Sequence, residues 1–213
     1  MTTARQNRFS PLPEGETLVL AWPTPNRHLH DRPRRFFATT RANAEYGMPG
    51  WTRDCGNRFH RGCDIAPVHV TRTGRETVVL FSDCETGTEY ESAEPTFEPH
   101  DEVYAVCGGN VVEDCDKPRR SDLGRHVVIA HCWPCDGERF YTLYGHLAEL
   151  AVGPGQSVAP GQPIGIMGTS SRSEDARNWL AIAPHLHFEV WNADRQPMDP
   201  VAFLKRYLPS QDK

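Results

Sequence analysis

The stretch APHLHFEVW, residues 183–191, decides how the rest of the chain is read. Its polar and apolar residues alternate with the period of two that a β-strand imposes. His185, His187 and Glu189 therefore share one face, and Leu186, Phe188 and Val190 share the other, turned into a neighbouring layer. A lone histidine is more often a surface or satisfied core residue than a ligand. Two imidazoles side by side on one strand face, with a further histidine and aspartate to match them elsewhere, point to a built site.

Working outward, the flanking sequence breaks into short runs rich in Val, Ile, Tyr and Phe: TVVLFS (77–82), EVYAVCGGNVVE (102–113), GRHVVIAHC (124–132), RFYTLYGHL (139–147) and SVAPGQPIGIMG (157–168). Gly and Pro punctuate them, which predicts a mainly β chain folded as an antiparallel β-sandwich or barrel-like sheet with few short helices. Only PVAFLKRYL (200–208) reads as a short helix. Residues 1 to about 50 are rich in Arg and Pro and lack helical periodicity, so they are expected to wrap the core as an extension. Residues 83–102 hold Asp83, Glu85, Glu89, Glu91, Glu94, Glu98, Asp101 and Glu102 with no Lys or Arg, and read as an acidic, solvated loop insertion. The alternative is an acidic rim that receives an amine-bearing substrate.

A chain of 213 residues with 38% hydrophobic content can bury one sizeable core. A net charge of −5, with no run of Lys or Arg, gives no footprint for nucleic acid or an anionic membrane. TLVLAW (17–22) is too short to span a bilayer or to form the core of an export leader. Seven cysteines favour an oxidising compartment with up to three bridges. CWPC (132–135) lies between two strand-like runs, so it reads as a hairpin tip carrying a local disulfide or structural thiols.

The second polar cluster is NRFHRGCDIAP (57–67), where His60 and Asp64 lie four residues apart and share a face in either a strand or a helix. A catalytic zinc ion takes three protein ligands and keeps one position open for water. His60, Asp64 and one of His185 and His187 would supply that set. Two neutral imidazoles and one carboxylate leave net positive charge on the site, which lowers the pKa of bound water. A non-haem iron oxygenase also uses two histidines and a carboxylate, but its motif is normally HxD with a distant histidine.

Taken together, HRGCD (60–64), AVCGGNVV (105–112), YGHL (144–147), VGPGQSVAPGQPIGIMGTS (152–170), HLHFEV (185–190) and DPVAFL (199–204) resemble, in order, the motifs of the LytM or lysostaphin-type zinc metallopeptidases, the M23 family. The resemblance covers roughly residues 58–202. It implies a peptidase domain over residues 51–213 with an open groove, and a zinc ion held by His60, Asp64 and His187. It also implies that His146 and His185 are active-site histidines that do not bind the metal, with Glu189 a candidate to orient a neighbouring imidazole. The implied activity is zinc-dependent endopeptidase cleavage of peptidoglycan stem peptides or crosslinks. The alternative is a catalytically inactive LytM-like regulator or wall-binding scaffold. Activity on the wall and the cysteine count together imply an extracytoplasmic protein, periplasmic or secreted. Cys63, inside HRGCD, is expected to face away from His60 and Asp64 and to pair with Cys55 or another cysteine.

Overall fold

The HLHFEVW run sits at the branch point of a nine-stranded antiparallel sheet in the computed structural model, which describes residues 5–38, 45–68, 70–72, 78–82, 89–92, 97–99, 101–115, 122–170 and 184–209. In chain order the elements are α1 (Pro33–Phe36), β1 (Gly50–Arg53), β2 (Arg58–His60), β3 (Cys63–Ile65), β4 (Val70–Arg72), β5 (Val78–Ser82), β6 (Glu89–Ser92), β7 (Phe97–Pro99), β8 (Glu102–Tyr104), β9 (Gly109–Cys115), β10 (Arg125–Cys132), β11 (Arg139–Leu150), β12 (Ser157–Val158), β13 (Pro163–Met167), β14 (Leu186–Trp191), β15 (Pro197–Met198) and α2 (Pro200–Tyr207). The sheet runs β12-β9-β10-β11-β13-β8, and β14 joins it beside β11 while also pairing β3 and β15. The mainly β, antiparallel expectation is met, and the sheet path stays open at its ends instead of closing into a barrel.

Alternation along the strands separates two faces. Phe188 and Val190 of β14, Phe140 and Tyr144 of β11, and Val127 and Ile129 of β10 are fully buried on the core face. Leu20, Leu29, Phe36 and Phe37 cover that face from the N-terminal side, and Phe203 and Leu204 of α2 cover it from the C-terminal side. Burying each such side chain contributes about 1.5–3 kcal/mol. The helix α2 forms where predicted: Pro200 occupies its first turn, and the Asp199 carboxylate accepts from the backbone N–H of Val201 and Ala202. The early segment is tied on by main-chain bonds, with Ala21 N donating to Val106 O at 2.8 Å and Ser10 N to Pro197 O at 2.8 Å. The opposite face carries a small cluster of Val128, Leu143 and Trp191. His187 and Glu189 lie on this second face.

Two expectations are corrected. The acidic stretch 83–102 is not all loop: β6 pairs β5 and β7 pairs β4, because EYES and FEP supply extended segments with ladder partners. Asp101, at its end, is 1% exposed and accepts from Val68 N at 2.7 Å, so it is a buried acceptor and not a solvated charge. Asp83, Glu85 and Glu94 lie outside the described residues.

The cysteines are the second correction. Cys55, Cys63, Cys107, Cys132 and Cys135 are free, so three bridges cannot form among the seven. Cys63 is sealed in the core while Cys55 sits in an exposed turn, which separates the pair that the sequence suggested. CWPC does lie at a hairpin tip, but its turn is closed by Trp133 N to Glu138 O at 2.9 Å and by the buried Trp133 ring, without a disulfide. The side chains of Cys84 and Cys115 lie outside the described residues.

Candidate metal centre

Antiparallel pairing of β14 with β3 puts His187 directly opposite Asp64, with Leu186 opposite Ile65 and Phe188 opposite Cys63. His60 ends β2, and the chain returns to β3 through Gly62. A Cβ at Gly62 would lie 2.5 Å from His187 Cε1 and 2.7 Å from the Phe188 carbonyl oxygen, so the HxxxD turn needs glycine for His187 to fit. Cys63 points to the core, as alternation predicts, and burial pushes its thiol well up.

Each imidazole of the trio is oriented by a second partner. His60 Nδ1 faces the Met48 carbonyl oxygen at 2.8 Å, which makes Nδ1 the donor and Nε2 the acceptor, met by Arg53 Nη2 at 3.1 Å. His187 Nε2 donates to Glu189 Oε1 at 2.9 Å and turns Nδ1 toward Asp64. His60 Nε2 and His187 Nδ1 are 3.3 Å apart. Asp64 Oδ1 is 3.3 Å from the first and 2.9 Å from the second. A tetrahedral zinc ion with bonds of about 2.0–2.1 Å separates its ligand atoms by roughly 3.3–3.4 Å; two of the three separations match it, the Asp64–His187 one is shorter, and the donor types fit. His60, Asp64 and His187 form the His/Asp cluster with metal-holding geometry among the described residues.

The electrostatics suit a cation. Burial pushes the Asp64 carboxyl up, but the neighbouring His185 and His60 and the hydrogen bond from His187 hold it well below the usual range. Burial pushes His187 down, and the hydrogen bonds to Asp64 and Glu189 outweigh it and lift the group to about 9. Glu189 is also buried, yet His187 and Arg61 bring it to about 2. His60 is lowered, chiefly by burial, which favours the neutral form that a ligand needs.

His146 reaches the site by an irregularity that alternation alone does not reveal. Between the pairs Arg125↔Leu147 and Val127↔Tyr144 the ladder spends two steps on β10 and three on β11, a bulge at Gly145–His146. His146 adopts a left-handed φ of 62°. The bulge turns its ring to the site face, with its centroid 4.7 Å from His185 and 5.8 Å from His187. His146 Nδ1 donates to the Ser170 carbonyl oxygen at 2.7 Å, leaving Nε2 free. Burial, then the nearby His185 and His187, hold this imidazole well below its ordinary value and therefore neutral. His185 pairs with Gly168 in an isolated bridge, and its Nε2 lies 3.6 Å from Asp64 Oδ1.

The structure thus gathers His60, Asp64, His146, His185, His187 and Glu189 in one place. Glu189 is 3% exposed, accepts from Trp191 Nε1 at 2.6 Å and pairs with Arg61 at 3.2 Å, so it is not a solvated strand-end carboxylate. Sequence reasoning missed Arg53, which forms an ion pair with Asp64 and lies 3.1 Å from His60 Nε2. It also missed the Met48 and Ser170 carbonyls, which as backbone groups leave no side-chain signature. Gly62 had a signal, its place inside HxxxD.

A sequence model for the family described as Peptidase family M23 matches residues 85–200, more than half of the chain. That span includes His146, His185, His187 and Glu189, while His60 and Asp64 precede it. The chain is 35% identical over 107 residues to the Peptidoglycan DD-endopeptidase ShyA of Vibrio cholerae serotype O1, covering 50% of this chain and 20% of that protein. It is 33% identical over 104 residues to the Lipoprotein NlpD/LppB homolog of Pseudomonas aeruginosa, covering 49% of this chain and 29% of that protein. The chain therefore spans less than a third of the length of these curated relatives. Among solved structures, the catalytic domain of the antimicrobial peptidase lysostaphin from Staphylococcus simulans matches with a TM-score of 0.47 and 22% identity, over 75% of this chain and 90% of that one.

Proposed function

The chain belongs to peptidase family M23, and from that premise we propose that it is a zinc metalloendopeptidase acting on the stem peptides or crosslinks of peptidoglycan. One observation carries the reading. Three donor atoms, each aimed by its own partner, stand close to the spacing of a tetrahedral ion, with two further imidazoles beside them.

His60 Nε2, Asp64 Oδ1 and His187 Nδ1 hold the ion in this reading. Zinc bound there supplies Lewis acidity and lowers the pKa of a water molecule. The remaining work falls to the protein. His146, kept neutral with Nε2 unprotonated, accepts or returns a proton at that atom. His185 stands within 4.7 Å of the His146 ring and serves proton traffic or the developing oxyanion. Glu189 fixes the tautomer and orientation of His187.

The ShyA relative, named a peptidoglycan DD-endopeptidase, supports the substrate class. The reading places the protein outside the cytoplasm, where peptidoglycan lies. It assigns residues 51–213 to the peptidase domain and treats residues 1–50 as an extension over its core.

The test is elemental analysis of the purified chain together with digestion of crosslinked peptidoglycan peptides. About one zinc per chain and cleavage that a chelator abolishes are expected. A chain that binds zinc stoichiometrically yet leaves the crosslinks intact would be a scaffold and not an enzyme.

A further inference from the structure

Arg53, at the end of β1, is buried, with 8% exposure. Its guanidinium lies over the ring of Tyr46, 3.8 Å from the centroid. It contacts the donor set at two points, Asp64 Oδ2 and His60 Nε2, the latter at 3.1 Å. Arg53 Nη2 pairs with Asp64 Oδ2, whereas Asp64 Oδ1 faces His187 Nδ1 at 2.9 Å, His60 Nε2 at 3.3 Å and His185 Nε2 at 3.6 Å. The carboxylate is divided, one oxygen to the imidazoles and one to the guanidinium.

Resting on the zinc reading above, we propose that Arg53 is a positioning residue that restricts Asp64 to ligation through Oδ1 alone. A carboxylate beside a zinc ion can offer one oxygen or two, and a second would occupy the coordination position that a hydrolase keeps open. Arg53 prevents this because its guanidinium is a cation that pairs with Oδ2. Releasing Oδ2 to the ion would leave that buried charge unpaired, which is strongly unfavourable. His60 Nε2, 3.1 Å from Arg53 Nη2, would give up that contact to a bound ion, and Arg53 would keep Oδ2 and the Tyr46 ring. Arg61 plays no such part: it is half exposed and pairs with Glu189.

The experiment is the visible absorption of the cobalt(II)-loaded protein, which is more intense for four-coordinate than for five-coordinate cobalt. The wild-type chain is expected to give the intense band. Arg53→Met keeps an apolar stem for Tyr46 but has no donor for Oδ2. It should still bind cobalt, with a band weakened about twofold or more as ligation expands from four to five. A folded Met variant that binds cobalt with the wild-type band overturns the proposal. Arg53→Gln is a second uncharged variant with a polar end that suits the buried position, and its band should weaken as well. Should the Met variant fail to fold, a wild-type band in the folded, cobalt-binding Gln variant overturns the proposal instead. A wild-type chain that takes up neither cobalt nor zinc is a different failure: it overturns the metal reading itself, and this assignment with it.

Discussion

The two faces of the sheet each bury a histidine among polar partners, and the two are driven in opposite directions. On the core face, His131 Nδ1 meets the Gly108 carbonyl at 2.9 Å and its Nε2 meets the Thr142 hydroxyl at 2.8 Å. That hydroxyl lies 3.1 Å from the Tyr144 hydroxyl, so every group in the network is neutral. Burial then decides the matter, and His131 falls to about 4. On the site face, His187 is buried as deeply but lies between Asp64 and Glu189, and it rises to about 9. Burial alone therefore does not distinguish a core histidine from a site histidine. Between His131 and His187 the charge of the hydrogen-bond partners does, because paired carboxylates make a position where a cation is stable and neutral partners make one where it is not; His146 and His60, also at the site, are held down as His131 is.

The largest expected effects come from breaking the site-face arrangement. His187→Ala removes a proposed ligand and should abolish both zinc retention and peptide cleavage. His146→Ala and His185→Ala should keep zinc and fold while losing roughly a hundredfold or more in rate, the scale of a positioned acid, base or oxyanion donor. Metal content and single-substrate kinetics on all three variants check this. If His185→Ala empties the site and His187→Ala keeps zinc, the two roles are reversed.

The core-face histidine predicts an acid-sensitive stability. An unfolded chain protonates His131 near its ordinary value of 6.5, whereas the folded chain resists until about pH 4. The stabilisation is therefore complete above about 6.5 and is lost as pH falls toward 4, about 1.4 kcal/mol per unit and about 3 kcal/mol in all. His131→Gln should make the decline of stability with falling pH shallower by about one proton. Urea unfolding from pH 7 to pH 4 measures it, and a slope identical to that of the wild type would mean that His131 does not set it.

Much of the site was legible in the sequence because strand alternation is a local rule. It placed His185, His187 and Glu189 on one face, and it turned Cys63 inward. The choice of His187 over His185 as ligand did not come from alternation, which treats them alike; it came from resemblance. The geometry that separates them is long-range, since the β3–β14 register sets Asp64 opposite 187. His146 was recognisable as part of YGHL, but its route to the site is a bulge that depends on mismatched counts in two strands. Arg53 was illegible because it lies outside every quoted motif and its partner is eleven residues away. Among the described cysteines the disulfide expectation failed for a similar reason: a count of cysteines carries no information about their placement, and Cys55 and Cys63 end in different environments.

The smallest change carries the comparison furthest, because it makes one side of the His187 environment resemble that of His131. In Glu189→Gln the amide oxygen still accepts from His187 Nε2, so the tautomer that aims Nδ1 at Asp64 is kept while the negative charge is removed. Trp191 Nε1, 2.6 Å from Glu189 Oε2, and Arg61, 3.2 Å away, lose an anionic partner as well. With charge withdrawn from one side, the imidazole is a weaker base and the site a poorer host for a cation. Zinc affinity should fall about 10- to 100-fold, the usual range for loss of a group that supports a metal ligand. Competition against a chromophoric chelator at fixed pH measures the change. An unaltered affinity would show that the hydrogen bond to His187 matters and the charge behind it does not, and the contrast between the two faces would then rest on Asp64 alone.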